Sequence, residues 1–170
     1  MKITTPTKQL ASVLSDLQRI IPTRSSTPGL TNIYMGLGND PNHLEFVGSN
    51  MDIDIEATLP ADIEGGSQDA KPIALPAHVF AQVINALPAK VVELEFVDDK
   101  VKITSGTFST SLQQVSSELV TQLPFPDAYE GTIDAVTLST LIQKTRYACA
   151  VNEYQAVFKG LRLELRDNHT

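Results

Sequence analysis

A chain of 170 residues with 42% hydrophobic and 19% charged side chains suffices for one ordinary domain and part of another, and is too apolar for a disordered segment. A formal net charge of −7 and a pI of about 4.8 exclude a protein that clings to nucleic acid over its whole surface, so any phosphate contact must be a local patch. The one cysteine, Cys149, excludes an internal disulfide, and Met1-Lys2-Ile3 runs into polar residues without a signal-peptide core; both point to the cytoplasm.

Lys2–Thr4 reads as a short strand. Pro6 suits the first turn of a helix, with Thr5 as its cap. Leu10, Val13, Leu14, Leu17 and Ile21 then recur at helical spacing, and Pro22 stops the helix. Arg24 lies in the polar loop that follows. Thr31–Leu37 and Leu44–Val47 read as strands around the turn Gly38–Pro41. Met51–Leu59 alternates strictly, with Met51, Ile53, Ile55, Ala57 and Leu59 on one face and acidic or polar residues on the other, as expected of a half-buried strand. Pro60–Ala70 reads as a loop.

The pattern then restarts. Ile3, Pro6, Leu10, Val13, Leu14 and Leu17 recur 70 positions later as Ile73, Pro76, Phe80, Val83, Ile84 and Leu87. Val92–Phe96 and Val101–Ile103 are predicted strands around the turn Asp98–Lys100. Thr107–Val115 is a longer polar strand. Each unit reads strand, helix, strand, strand, strand. A stripe of five apolar helix positions, each worth roughly 1.5–3 kcal/mol when buried, cannot be covered by its own helix. Two units side by side can close a sheet over two helices packed on one face.

Ser116–Gly131 breaks the periodicity with Pro124, Pro126 and Gly131. A third unit then begins, with Thr132–Ala135 as lead strand, Leu138, Leu141 and Ile142 as helix stripe, and Gly160–Leu165 as strand before a turn at Arg166–Asn168. Its last two strands are missing, which leaves an unpaired edge and an uncovered apolar face. The chain thus reads as a fragment, or as one whose sheet something else completes.

Several segments together resemble one family. They are MKIT at the start, TPGLTN (27–32), GSNMDIDIEA (48–57), PAHVFAQVINALP (76–88), KITSG (102–106), LPFPDAYEG (123–131) and the run from Leu141 to Gly160. In this order and spacing they are similar to the bacterial DNA polymerase III beta subunit, the sliding clamp. The resemblance implies an α+β DNA-clamp fold of antiparallel sheets backed by paired helices. It implies domain boundaries at 1–122 for a first clamp domain (units of about 1–70 and 71–122), 123–131 for a linker, and 132–170 for an incomplete second domain.

It also implies a non-enzymatic processivity factor that encircles duplex DNA without reading its sequence and tethers the replicative polymerase. The full-length family is a ring-shaped homodimer, served by DNA polymerase III and a clamp loader. This chain alone is expected to be monomeric, to form no ring and to bind few peptides, with Phe158 an orphaned edge of the peptide pocket. Arg24 matches a DNA contact of the family. His78 stands at the DNA-facing start of the second helix, and Asn152 and Gln155 fall in the loop after the third. Thr110 and Leu112 match the subunit interface. Acidic strands outside (Asp52, Asp54, Glu56, Glu93, Glu95) and mildly basic helices inside (Lys8, Arg19, Lys144, Arg146) suit that task.

The competing readings are ordinary. Scattered Lys and Arg on helices are solvated faces, His78 is a helix-surface histidine, and residues 152–155 simply join a helix to a strand. A protein-interaction module of clamp fold that never surrounds DNA is the alternative function. Enzyme chemistry finds little support: His43, His78 and His169 lack metal-ligand spacing, and Gly65-Gly66 is no phosphate loop. Cys149 as a nucleophile competes with a small buried cysteine on the third helix. The sequence asks for no cofactor and no metal.

Overall fold

The computed structural model describes residues 1–27, 29–38, 40, 42–66, 71–115, 132–152 and 154–164. The chain divides into two compact units, Met1–Pro124 and Phe125–Thr170. The expected linker at 123–131 and the turn at 166–168 lie outside the described residues, as do Asn39 and Pro41 of the first turn.

The first unit begins with strand β1 (Lys2–Pro6), which runs straight into helix α1 (Thr7–Gln18). Pro6 is the N-cap rather than a first-turn residue, because its φ of −63° serves both the strand end and the helix entry. Thr5, expected as a cap, is instead buried in the strand and donates its hydroxyl to the Pro60 carbonyl at 3.1 Å. The apolar stripe buries Leu10, Leu14 and Leu17. The last turn then tightens, with the Ile20 and Ile21 amides both donating to the Leu17 carbonyl, and Ile21 completes the stripe.

Strands β2 (Asn32–Leu37), β3 (His43–Ser49), β4 (Asp54–Pro60) and β5 (Asp62–Glu64) follow. Two expectations fail here. The alternating strand does not start at Met51. Asn50 accepts from the Asp52 and Ile53 amides at 3.0 and 2.8 Å, and the Ser49 hydroxyl accepts from the Met51 amide. These local bonds displace the ladder, so Met51 and Ile53 stand exposed in a turn. Within the supposed loop after Pro60, β5 forms because β1 offers it a free edge.

The second half repeats the order from β1 to β4, with no counterpart of β5 among the described residues: β6 (Ile73–Pro76), α2 (Ala77–Asn85), β7 (Val91–Val97), β8 (Lys100–Ser105) and β9 (Phe108–Gln113). Pro76 serves at the β6–α2 junction as Pro6 does earlier, with φ −59°.

The halves exchange their first strands. One sheet has the order β5-β1-β7-β8-β9 and the other β4-β3-β2-β6, and every neighbouring pair is antiparallel. Thus β1 of the first half pairs β7 of the second, and β6 of the second pairs β2 of the first. The registers are twins: Ile3 faces Leu94 as Ile73 faces Met35, and Pro6 faces Val91 as Pro76 faces Asn32. The sheets meet at both ends. At one, β4 bends through Pro60 and Ala61 into β5; at the other, Val115 bridges Ala74.

Both helices bury their stripes in one core shared by the two sheets. Leu10, Leu14 and Leu17 from α1 and Phe80, Ala81 and Ile84 from α2 lie in the same cluster as Ile3, Ile33, Phe46, Leu94 and Ile103. Helix α1 comes close enough that a β-carbon built at Gly48 on β3 would stand 2.8 Å from Ile21 Cδ1 and 3.2 Å from Leu17 Cδ2.

The second unit holds helix α3 (Ala135–Thr145), whose N-cap Asp134 accepts from the Thr137 amide at 2.8 Å and hydroxyl at 3.0 Å. The expected lead strand is absent, since this cap starts the helix at Ala135 and residues 132–134 have no strand neighbour. The expected strand from Gly160 is likewise irregular over 161–164, for want of a partner to supply the ladder. Cys149 does not lie on the helix. It follows a 3₁₀ turn (Arg146–Ala148), partly exposed, with its thiol toward the Gly160 carbonyl at 3.6 Å. No described residue of this unit is buried, and Leu141, Ile142, Leu161 and Leu163 are exposed.

Candidate nucleic-acid interface

The segment from Arg19 to Thr31 carries Arg24 and is pinned at both ends. At its start Ile21 is buried, and at its end Leu30 is buried. The Gly29 carbonyl accepts from the Asn32 amide at 3.0 Å and the Tyr34 hydroxyl at 3.3 Å. Gly29 has φ +89°, a left-handed turn that suits glycine. Between these anchors Arg24 is exposed and has no ion pair among the described residues.

His78, half-buried at the start of α2, spans the gap to the end of α1. Its Nε2 lies 3.2 Å from the Ile21 carbonyl and its Nδ1 3.2 Å from the Gln18 amide nitrogen. A carbonyl only accepts, so Nε2 carries the hydrogen and Nδ1 accepts from Gln18. Both ring nitrogens are therefore committed within the protein, and His78 locks the base of the Arg24 segment.

The helix ends carry further basic groups. Lys8 and Lys90 are exposed without ion pairs among the described residues, whereas Arg19 pairs with Asp16 at 3.5 Å. Lys90, just before β7, was not singled out by sequence pattern, since one lysine between a proline turn and a strand looks like any surface lysine. The signal that finds it is the fold: its carbonyl accepts from the Thr7 amide at 2.9 Å, which places it at the start of α1.

The outer strand face is less uniformly acidic than the sequence suggests. Lys2 reaches Glu93 at 3.1 Å and Lys102 reaches Glu95 at 3.6 Å, because both lysines are cross-strand neighbours of β7. The bond to Glu93 and its charge hold the Lys2 ammonium above its ordinary pKa. Asp52 sits in the turn before β4. The acidity concentrates on β3 and β4, where partial burial and then the nearby Glu56 push the Glu45 carboxyl upward.

In the second unit the Ala150 amide donates to the Phe158 carbonyl at 2.8 Å, closing a loop that presents Asn152 and Gln155 to solvent. Tyr154, fully exposed between them, was not anticipated. Thr110 and Leu112 lie together on β9, the edge strand of its sheet. They face Ile103 and Val101 across the ladder and are half-buried at the rim of the core. Among the described residues no group of three or more His, Cys, Asp or Glu could hold a metal ion, and no helix is long and apolar enough to cross a membrane.

Twin βαβββ units that exchange their lead strands around one helix pair make an α+β domain of the DNA-clamp type. Residues 1–124 match the family model of the DNA polymerase III beta subunit, N-terminal domain, and the chain belongs to this family. It is similar to the beta sliding clamp of Staphylococcus epidermidis RP62A, at 26% identity over 99% of this chain and 46% of that protein. Similarity to the Bacillus subtilis 168 beta sliding clamp is 25%, again over 99% of this chain and 46% of that protein. Among solved structures, the DNA polymerase beta subunit of Streptococcus pyogenes aligns with TM-score 0.79 and 21% identity, over 92% of this chain and 42% of that one. The DNA polymerase sliding clamp from Bacillus subtilis aligns with TM-score 0.75 and 26% identity, over 92% and 42%. The chain thus spans less than half the length of these relatives.

Proposed function

We propose that this chain acts as the N-terminal part of a DNA sliding clamp, a non-catalytic processivity factor of the bacterial cytoplasm. Residues 1–122 form its first clamp domain and 132–170 the start of a second. The observation that carries the reading is the helix pair itself: two helices packed together, with Lys8 at the start of α1 and Arg24 and Lys90 in the segments that follow α1 and α2, all three free of ion pairs among the described residues. Such a surface attracts phosphates without reading bases.

In this reading Arg24 is a direct phosphate contact. In the second unit Asn152 and Gln155 offer neutral hydrogen bonds to the backbone; in the first, His78 serves the DNA contact by fixing the segment that bears Arg24. Thr110 and Leu112, on the open edge of β9, form part of a subunit interface in a ring-shaped homodimer of the full-length protein. Polymerase III and a clamp loader are partners of that full-length form.

A chain with a few phosphate contacts should bind duplex DNA weakly, near the ~10⁻⁴ M end of non-specific affinity. Fluorescence anisotropy at low and moderate salt tests this, with Arg24→Ala as comparison. Loss of binding in Arg24→Ala supports the reading. Equal affinity in both proteins removes Arg24, and no affinity at low salt in either favours a clamp-like protein-interaction module.

A further inference from the structure

The outermost strands of the two sheets are not equally guarded. Strand β5 is three residues long and carries Asp62 and Glu64. Strand β4 carries Asp54 and Glu56 and ends at Pro60. Strand β6 is bridged at Ala74 by Val115. Strand β9 has none of these devices: it is six residues long, without charge or proline, and its outer edge has no strand partner among the described residues.

Its sequence is close to a palindrome. Phe108-Ser109-Thr110-Ser111-Leu112 reads apolar, Ser, Thr, Ser, apolar from either end. Phe108, Thr110 and Leu112 stand opposite Ser105, Ile103 and Val101, which are all buried, so the three share the core face. Phe108 is 42% exposed and the other two are half-buried, which leaves an apolar rim along this edge. Ser109 and Ser111 lie exposed on the outer face. The backbone fits the same symmetry. The Gln114 amide donates inward to the Asp99 carbonyl at 2.8 Å. Strand alternation then turns the amides and carbonyls of Ser109, Ser111 and Gln113 to the open edge.

We propose that β9 pairs antiparallel with β9 of a second copy of this chain, about a twofold axis through Thr110. Phe108 then faces Leu112 of the second copy, and Thr110 faces its own twin. Ser109 faces Ser111 of the second copy, and the two exchange both backbone hydrogen bonds. Aromatic–aliphatic and hydroxyl–hydroxyl opposites are favourable cross-strand pairs, and no like charges meet. A slip by two residues would set Phe108 or Leu112 against Thr110, so the palindrome selects the register.

Such an interface is isologous and closes at two chains. A single pair of short strands lies below the roughly 1,200 Å² of a standard interface, so the dimer should be weak and concentration-dependent. The chain alone, expected from its sequence to be monomeric, associates through this edge. The pairing needs neither DNA nor the remainder of a ring, so it stands apart from the function proposed above. It excludes a ring interface at Thr110 and Leu112 while it lasts, because one strand edge takes one partner.

Sedimentation equilibrium from micromolar to millimolar concentration tests the pairing. The average mass should rise from 18.5 kDa toward twice that value. Ser109→Lys/Ser111→Lys and Ser109→Glu/Ser111→Glu should each lose the association, and an equimolar mixture of the two should recover it. Both serines are exposed, so the variants should fold, and unchanged thermal midpoints verify this. A wild type that stays at one chain throughout overturns the proposal, as do variants that associate like wild type or a mixture that does not associate.

The register is read by disulfide capture with oxidised glutathione in a Cys149→Ser background. Across the twofold axis the two Thr110 Cα atoms would lie about 4.5 Å apart, within disulfide reach. Thr110→Cys should therefore cross-link to its own copy, and Ser109→Cys should not. Cross-linking at Ser109→Cys in place of Thr110→Cys overturns the axis through Thr110.

Discussion

His78 Nε2 donates to the Ile21 carbonyl at 3.2 Å, and through that bond the start of α2 holds the end of α1. The second ring nitrogen accepts from Gln18, so a single side chain satisfies an orphan carbonyl at a helix end and a free amide beside it. Each such bond is worth about 0.5–1.5 kcal/mol net. His78→Ala should lower the stability of the first unit by about 1–2 kcal/mol in urea denaturation, with an unchanged m-value. Amide exchange should quicken most at Ile20–Arg24. Exchange that quickens evenly over the unit would show that His78 merely packs.

Gly48 is a matter of space. Its missing β-carbon would meet Ile21 Cδ1 at 2.8 Å, Ile21 Cγ1 at 3.1 Å and Leu17 Cδ2 at 3.2 Å. Ile21 and Leu17 are buried, so neither can swing aside into solvent. Gly48→Ala should cost about 1–3 kcal/mol, in the range of an overpacked core, and Gly48→Val more. Equal thermal midpoints for wild type and Gly48→Ala would mean that α1 can slide on its sheet.

Glu45 gives the strand face a pH dependence. Partial burial and then Glu56 raise its carboxyl pKa above the ordinary 4.5. The ionised form is therefore the disfavoured one in the fold, and the native chain takes up a proton more readily than the unfolded chain. Its ionisation costs stability at neutral pH, and that cost disappears as pH falls through the raised value. Glu45→Gln should stabilise the unit by roughly 0.2–1 kcal/mol at pH 7, as relief of a like-charge strand pair does. The advantage should be gone below about pH 4. Chemical denaturation at several pH values reads this directly, and an advantage that grows toward acid would reverse the assignment.

The helix pair was legible in the sequence because Leu10, Leu14 and Leu17 keep helical spacing and return 70 residues on as Phe80, Ile84 and Leu87. The strand exchange was not. Ile3 shows the same apolar face whether its strand pairs β2 or β7, and partner choice is a property of the assembled domain. Met51 and Ile53 misled because Asn50 and Ser49 bond their amides locally, an effect that hydrophobic alternation does not register. Leu161 and Leu163 misled for the opposite reason, since an alternating pattern becomes a strand only where a neighbour offers an edge. At the interface, family resemblance pointed to Arg24. Lys90 became visible only when the Thr7 amide was seen on its carbonyl.

The strand exchange makes a demand on folding that can be measured by cutting the first unit between β5 and β6. Residues 1–70 alone would keep α1 and the strands β2–β4, but β1 would lose its long partner β7, and the stripe of α1 would lose α2. Residues 71–124 alone would strand β6 in the same way, without β2. Burial of Ile3, Leu10 and Leu14 on one side and of Leu75, Phe80 and Ile84 on the other depends on the opposite half, at roughly 1.5–3 kcal/mol per side chain. Net domain stability is only about 5–15 kcal/mol, so neither half should survive that loss. Circular dichroism should find each peptide without a cooperative thermal transition. An equimolar mixture should recover one, with a midpoint that rises with concentration. Cooperative melting of residues 1–70 alone would mean that the exchanged strands are ornament rather than the joint between the halves.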